Sequence, residues 1–166
     1  MISAKGLLPI IIVGLSSIIV VGCGNNRTEW FYASLSDAQK AQDGPRSWVR
    51  DDLLPVSSRN IHIDGELSPS REWCAFEFSP ADSDSLRRKL QPIVMLPPPV
   101  QRVRSPDMDW WPVVLKGNLD VDKIHKVGFE LYVVEEPANS VNTFILLFAI
   151  DWQKGRGFFF ETYRSD

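Results

Sequence analysis

The sequence predicts an α+β domain: an antiparallel β-sheet of about five to six strands with two helices packed on one face. Three observations predict it. Apolar and polar residues alternate in short runs, as half-buried strands require. Two segments carry helix-start chemistry, with capping and acidic residues ahead of an apolar pattern. The last three apolar runs are joined by connections too short for anything but antiparallel neighbours.

Taken in order, Trp30-Phe31-Tyr32-Ala33 reads as a short aromatic strand. Ser36-Asp37-Ala38 then opens a helix over 37–43, with Ser36 as the cap and Asp37 near the helix's positive end. Gly44-Pro45 ends that helix, and Trp48, Leu53 and Leu54 form an apolar group closed by Pro55. Asn60-Ile61-His62-Ile63-Asp64 alternates as a strand, and Trp73 to Phe78 alternates likewise. The stretch Leu67-Ser68-Pro69-Ser70 between them carries turn residues. A second helix runs over 81–90. Pro80 stands at its start, acids fill its first turn, and Arg87, Arg88 and Lys89 fill its last. Residues 92–112 read as irregular, with Pro97-Pro98-Pro99 as extended polyproline, and Asp120 to Lys126 as one helical turn. Three strands close the chain: Val127 to Glu135, Asn142 to Trp152 and Gly157 to Tyr163. Phe144 to Ile150 is apolar on both faces, which marks a central strand covered on each side.

Ahead of this domain lies an address. Lys5 precedes an apolar run from Leu7 to Val21, followed by Gly22-Cys23-Gly24, the layout of a secretory signal. The run, broken by Pro9, Gly14, Ser16 and Ser17, is shorter than the roughly 20 apolar residues a spanning helix needs. Val20-Val21-Gly22-Cys23 resembles the lipobox. That resemblance implies cleavage after residue 22, thioether lipidation of Cys23 and acylation of its new amino terminus. Multiple acyl chains, at about 0.8 kcal/mol per buried methylene, make such an anchor durable. Residues 23–29 are then the lipidated tether and 30–166 a single domain. Gly24 rather than Asp after the cysteine favours the outer membrane by analogy with enteric lipoproteins. Two other readings stay open: Cys23 as the small residue of an ordinary cleavage site, or the segment kept as an uncleaved anchor.

Removing 22 residues leaves 144, a length suited to one domain. Lys5 leaves with the signal, so seventeen basic residues face 21 acidic ones. Only Arg87-Arg88-Lys89 approaches a basic cluster, too little to displace counterions from nucleic acid, so no nucleic-acid partner is expected. With Cys23 lipidated, Cys74 is the one cysteine left and no intramolecular disulfide can form. Cys74 alternates with Phe76 and Phe78 on one strand face and reads as a small buried hydrophobe.

A search for chemistry finds no catalytic constellation. His62 and His125 have no second ligand at metal spacing, and no nucleophile elbow or phosphate-binding loop is present, so no metal or cofactor is expected. His62 falls on the strand face opposite Ile61 and Ile63, the place of an exposed or hydrogen-bonded residue. The pairs Asp107-x-Asp109 and Asp120-x-Asp122 lack the further oxygen ligands of a calcium loop, and Asp120 reads as a helix cap. Two stretches stand out for binding. Arg102 to Trp111 offers Arg102, Arg104, Trp110 and Trp111 after the rigid prolines, and tryptophan and arginine anchor interfaces well. At least one of the two tryptophans is expected to pack on the sheet. Ser57-Ser58-Arg59-Asn60 and Ser68-Pro69-Ser70-Arg71 bracket one end of the strand pair, as a polar pocket or as solvated turns.

The order Phe31-Tyr32-Ala33, a helix, Leu53-Leu54-Pro55, Ser57-Ser58-Arg59-Asn60-Ile61 and Trp73-x-x-Phe76-x-Phe78 resembles a group of small bacterial proteins, the YbbD head-domain family. Ser58 stands where that pattern has alanine, and the likeness covers about residues 30 to 90. It implies a compact envelope domain and no active site. The expectation is a lipid-anchored cell-envelope protein facing the periplasm, not an enzyme, whose domain binds an envelope protein or a cell-wall component. A small envelope hydrolase with dispersed residues is the alternative.

Overall fold

The computed structural model describes residues 27–41, 53–67, 70–93, 96, 102–103, 108–135 and 144–163. The export segment, Cys23, Gly44-Pro45, Trp48, Pro97-Pro98-Pro99 and Arg104 lie outside them. In chain order come β1 (Arg27–Ser34), α1 (Leu35–Lys40), β2 (Arg59–Leu67), β3 (Ser70–Glu77) and α2 (Ser83–Arg87). There follow β4 (Gln91–Pro92), β5 (Arg102–Val103), β6 (Gly117–Asn118), α3 (Val121–Lys126), β7 (Glu130–Glu135), β8 (Phe144–Asp151) and β9 (Arg156–Tyr163).

Seven strands build one sheet in the order β1-β2-β3-β9-β8-β7-β4, with every pairing antiparallel. It is two meanders, β1–β3 and β7–β9, joined where β9 returns beside β3. The two-residue strands β5 and β6 form a separate ribbon. The sheet exceeds the expected five to six strands because β4, at the start of the stretch read from sequence as irregular, adds an edge beside β7.

Side chains alternate across the strands and build two cores. On the first face Ile61, Ile63, Phe76, Phe148 and Phe159 pack with Leu35 and Ala38 of α1 and Leu86 of α2. On the second, Trp73, Ala75, Leu147 and Phe158 pack with Trp111, Leu115 and Ile124. Strand β8 lies inside the sheet with Leu146, Phe148 and Ile150 on one face and Ile145, Leu147 and Ala149 on the other. This matches its apolar sequence. Cys74 is 1% exposed and shares the first core with Phe76 and Phe78.

The helices are shorter than the sequence suggests. Ser34, not Ser36, caps α1: its Oγ accepts the Asp37 N–H at 3.2 Å and donates to Asp37 Oδ2 at 2.7 Å. The helix starts early because Leu35 must join Ala38 on the buried side. The expected 81–90 helix is a 3-10 turn over Pro80–Asp82 followed by the five residues of α2. Beyond it, Lys89 N–H bonds to Leu86 at 3.0 Å, a tightened turn that buries Leu90. Helix α3 behaves as expected. Asp120 caps it through Lys123 N–H at 3.1 Å. At its end Gly128 (φ +95) and Phe129 return N–H bonds to His125 and Ile124, and the Phe129 and Ile124 side chains meet in the second core.

Strand β1 reaches back to Arg27, so the sheet begins inside the stretch expected as tether. Of the two polar Ser/Arg segments, Ser68-Pro69 lies outside the described residues. Arg59 opens β2, and Ser70 and Arg71 pair with Leu67 and Glu66 at the other end of its nine residues. Ser57 is instead tied to Asp82, which accepts its N–H at 3.1 Å and its hydroxyl at 3.0 Å.

Candidate functional site

Strand alternation places Arg27, Glu29 and Phe31 of β1 on the second face of the sheet. Opposite them on β2 stand Glu66, Asp64 and His62. The next residue across from His62 is Ala75 of β3, a small side chain beside the imidazole. Two of these groups form one ion pair: the Arg27 guanidinium bonds Asp64 Oδ2. Asp64 is fully buried, and burial pushes its carboxyl above the usual range despite the cation beside it.

Trp110 and Trp111 arrive on a turn whose Trp111 N–H bonds Met108 at 3.2 Å. The two indoles meet edge to face, 5.9 Å apart, and then part company. Trp111 is 2% exposed; its Nε1 donates to the Leu115 carbonyl at 3.1 Å and its ring meets Phe158 edge-on. It is a core residue that fastens the turn to the sheet. Trp110 is half-buried and lies over His62, ring centroids 5.5 Å apart and planes 29° from parallel. Its Nε1 donates to Glu29 Oε1 at 2.8 Å. On the other side of His62 the Phe31 ring stands 4.7 Å away and is 54% exposed. The result is a shelf, Phe31–His62–Trp110, running from the β1 edge towards the pinned loop. Burial lowers the His62 pKa, opposed by the charge of Glu29, so the imidazole in the shelf favours its neutral form.

Of the residues singled out for binding, only Trp110 stands in this shelf. Arg102 lies on β5, with its backbone opposite Asn118, and Arg104 and Cys23 fall outside the described residues. Sequence reasoning missed Phe31 and Glu29. The period-two alternation put His62 on this face and, extended to β1, would have placed both beside it. Cys74 cannot join His62 in chemistry. It pairs with Ile63 and faces the first core, and burial pushes its thiol well above the ordinary value. Among the described residues no group of three or more His, Cys, Asp and Glu side chains could hold a metal ion. No helix there is long and apolar enough to cross a membrane.

The fold is thus a seven-stranded antiparallel sheet covered on both faces, with an aromatic shelf near one edge. No family model, curated protein or solved structure matches the chain.

Proposed function

We propose that this chain is a lipid-anchored, non-enzymatic protein of the cell envelope that binds a protein or cell-wall partner through the Phe31–His62–Trp110 shelf. One observation carries the reading: a phenyl ring 54% exposed is held in a row with a stacked indole whose orientation Glu29 fixes. Rigid aromatic surface lowers the entropy that binding must overcome, which is why such groups anchor interfaces. The anchor rests on the export signal and Cys23, and favours the outer membrane. We read α1 and α2 as the two helices covering the first face, supported by Leu35, Ala38 and Leu86 in its core. The likeness to YbbD head domains over residues 30 to 90 fits the same reading. A hydrolase built on His62 and Cys74 is disfavoured because their side chains project from opposite faces of β2 and β3.

The test is co-purification from detergent-solubilised envelopes with wild type, Trp110→Ala and Phe31→Ser. Loss of a specific partner from both variants, with unchanged circular dichroism, is the expected result. Equal recovery by all three removes the shelf's role. Mass spectrometry of the mature amino terminus tests the anchor: an unmodified Cys23 or a retained Met1 overturns it.

A further inference from the structure

A groove of about 300 Å³ opens at the end of the β7–β8 pair, away from the shelf. Its walls include His125 from the end of α3, Glu130, Asp151, Gln153 and Lys154. The carboxylates are held differently. Asp151, 3% exposed, accepts the Lys154 N–H at 3.0 Å and pairs with the Lys154 ammonium at 3.2 Å, so its charge is matched. Glu130 is exposed, and no Lys or Arg among the described residues pairs with it. Two donors fix it in place: the Tyr132 hydroxyl and Trp152 Nε1, the latter at 3.2 Å, both on Oε2. Trp152 Nε1 also reaches the Tyr132 oxygen at 2.9 Å, so the three side chains brace one another. Arg87 does not neutralise the carboxylate by an ion pair; its guanidinium lies 4.1 Å over the Trp152 ring. Glu130 Oε1 accepts no hydrogen bond among the described residues, and the His125 and Gln153 side chains there have no partner either.

A carboxylate oriented by two neutral donors, with one oxygen unused and no Lys or Arg in ion-pair contact among the described residues, is complementary to a cationic donor. Among the described residues, no group of three or more His, Cys, Asp and Glu side chains here could hold a metal ion. The groove lies at the small end of the range for ligand sites, about 300–1,000 Å³, so it suits a single small group. We infer that this groove binds a primary ammonium group on a small polar ligand, with Glu130 Oε1 as its counter-ion and Gln153 and His125 as flanking polar contacts. An amino sugar and the side-chain amine of a peptide share that chemistry. The inference stands apart from the shelf and from the lipid anchor.

The experiment follows the Trp152 indole N–H resonance of the full chain in detergent, assigned by its loss in Trp152→Phe. That proton is shared between Glu130 Oε2 and the Tyr132 oxygen, so it reports on the braced carboxylate. The probes are glucosamine, Nα-acetyl-lysine methylamide and N-acetylglucosamine, the last with its amine capped. At least one free amine is expected to shift the resonance saturably, with affinity at least tenfold weaker in Glu130→Gln, while N-acetylglucosamine leaves it in place. A shift with glucosamine alone assigns the sugar, with the lysine amide alone the peptide amine, and with both the shared group. No shift with either amine, an equal shift with the capped sugar, or unchanged affinity in Glu130→Gln overturns the inference. Should Glu130→Gln fail to fold, the capped sugar against glucosamine decides the point on the unaltered protein.

Discussion

The Phe76 ring lies across Gly157, its cross-strand partner, in the space a side chain there would occupy: a Cβ would stand 2.2 Å from Phe76 Cζ. A ring laid over a glycine repairs the gap that the missing side chain leaves in a strand. Gly157→Ala must push that ring into a packed core, at about 1–3 kcal/mol. Urea unfolding measures it, and a midpoint equal to wild type would show that Phe76 moves freely.

Trp110 and Trp111 are neighbours in sequence and unlike in energy. Trp111→Ala empties a site that is 2% exposed and should cost about 3–5 kcal/mol, as large aromatic truncations do. Trp110→Ala removes one stacked, half-buried ring and should cost under about 2 kcal/mol. Equal losses in chemical denaturation would contradict the division of labour between the two.

Arg27→Gln removes the cation from a fully buried carboxylate. Breaking a buried ion pair costs about 3–5 kcal/mol, and the 27% exposure of the Arg27 side chain brings the expected loss to about 2–3 kcal/mol. Adding Asp64→Asn should recover most of it, because the pair then leaves no buried charge behind. A double variant no more stable than Arg27→Gln would refute this account of the pair.

The sign of the pH effect at His62 follows from burial. Its folded pKa lies below the ordinary 6.5, so the unfolded chain takes up a proton first. Stability from neutral His62 is therefore complete above 6.5 and is lost as pH falls through that value towards the lowered one. Melting temperature recorded from pH 8 to 5 should fall on the acid side less steeply in His62→Gln than in wild type. Parallel curves would exclude His62 as the source.

How far the sequence could be read depends on the range of the interaction. Alternation in Ile61-His62-Ile63 and Trp73–Phe78 assigned the faces of β2 and β3, because period two is a local property of strands. The doubly apolar run in β8 likewise announced its place inside the sheet. Caps were less legible: Ser34 and Ser36 are both good capping residues, and the burial of Leu35 chose between them. The 81–90 helix carried every local signal, yet the packing of Leu86 and Leu90 broke its ends into tighter turns. The shelf was half visible. Trp110 stood out by type, but its bond to Glu29 joins residues 81 apart, and only the fold brings them together. The braced Glu130 was silent, because nothing local links it to Trp152 across the β7–β8 pair.

One row of paired residues crosses the sheet from Ser34 through Arg59, Glu77 and Arg156 to Asp151. The opposite row starts at Arg27, the nearest described residue to Cys23 in the chain. The seven steps of β1 from Arg27 to Ser34, at about 3.3 Å each, separate the two rows by roughly 23 Å. A chain tethered at Cys23 would therefore have a near pole and a far pole, with the Glu130 groove at the far one. Occupancy there would leave the tethered end sterically untouched, so attachment and ligand capture could proceed at once on a single molecule.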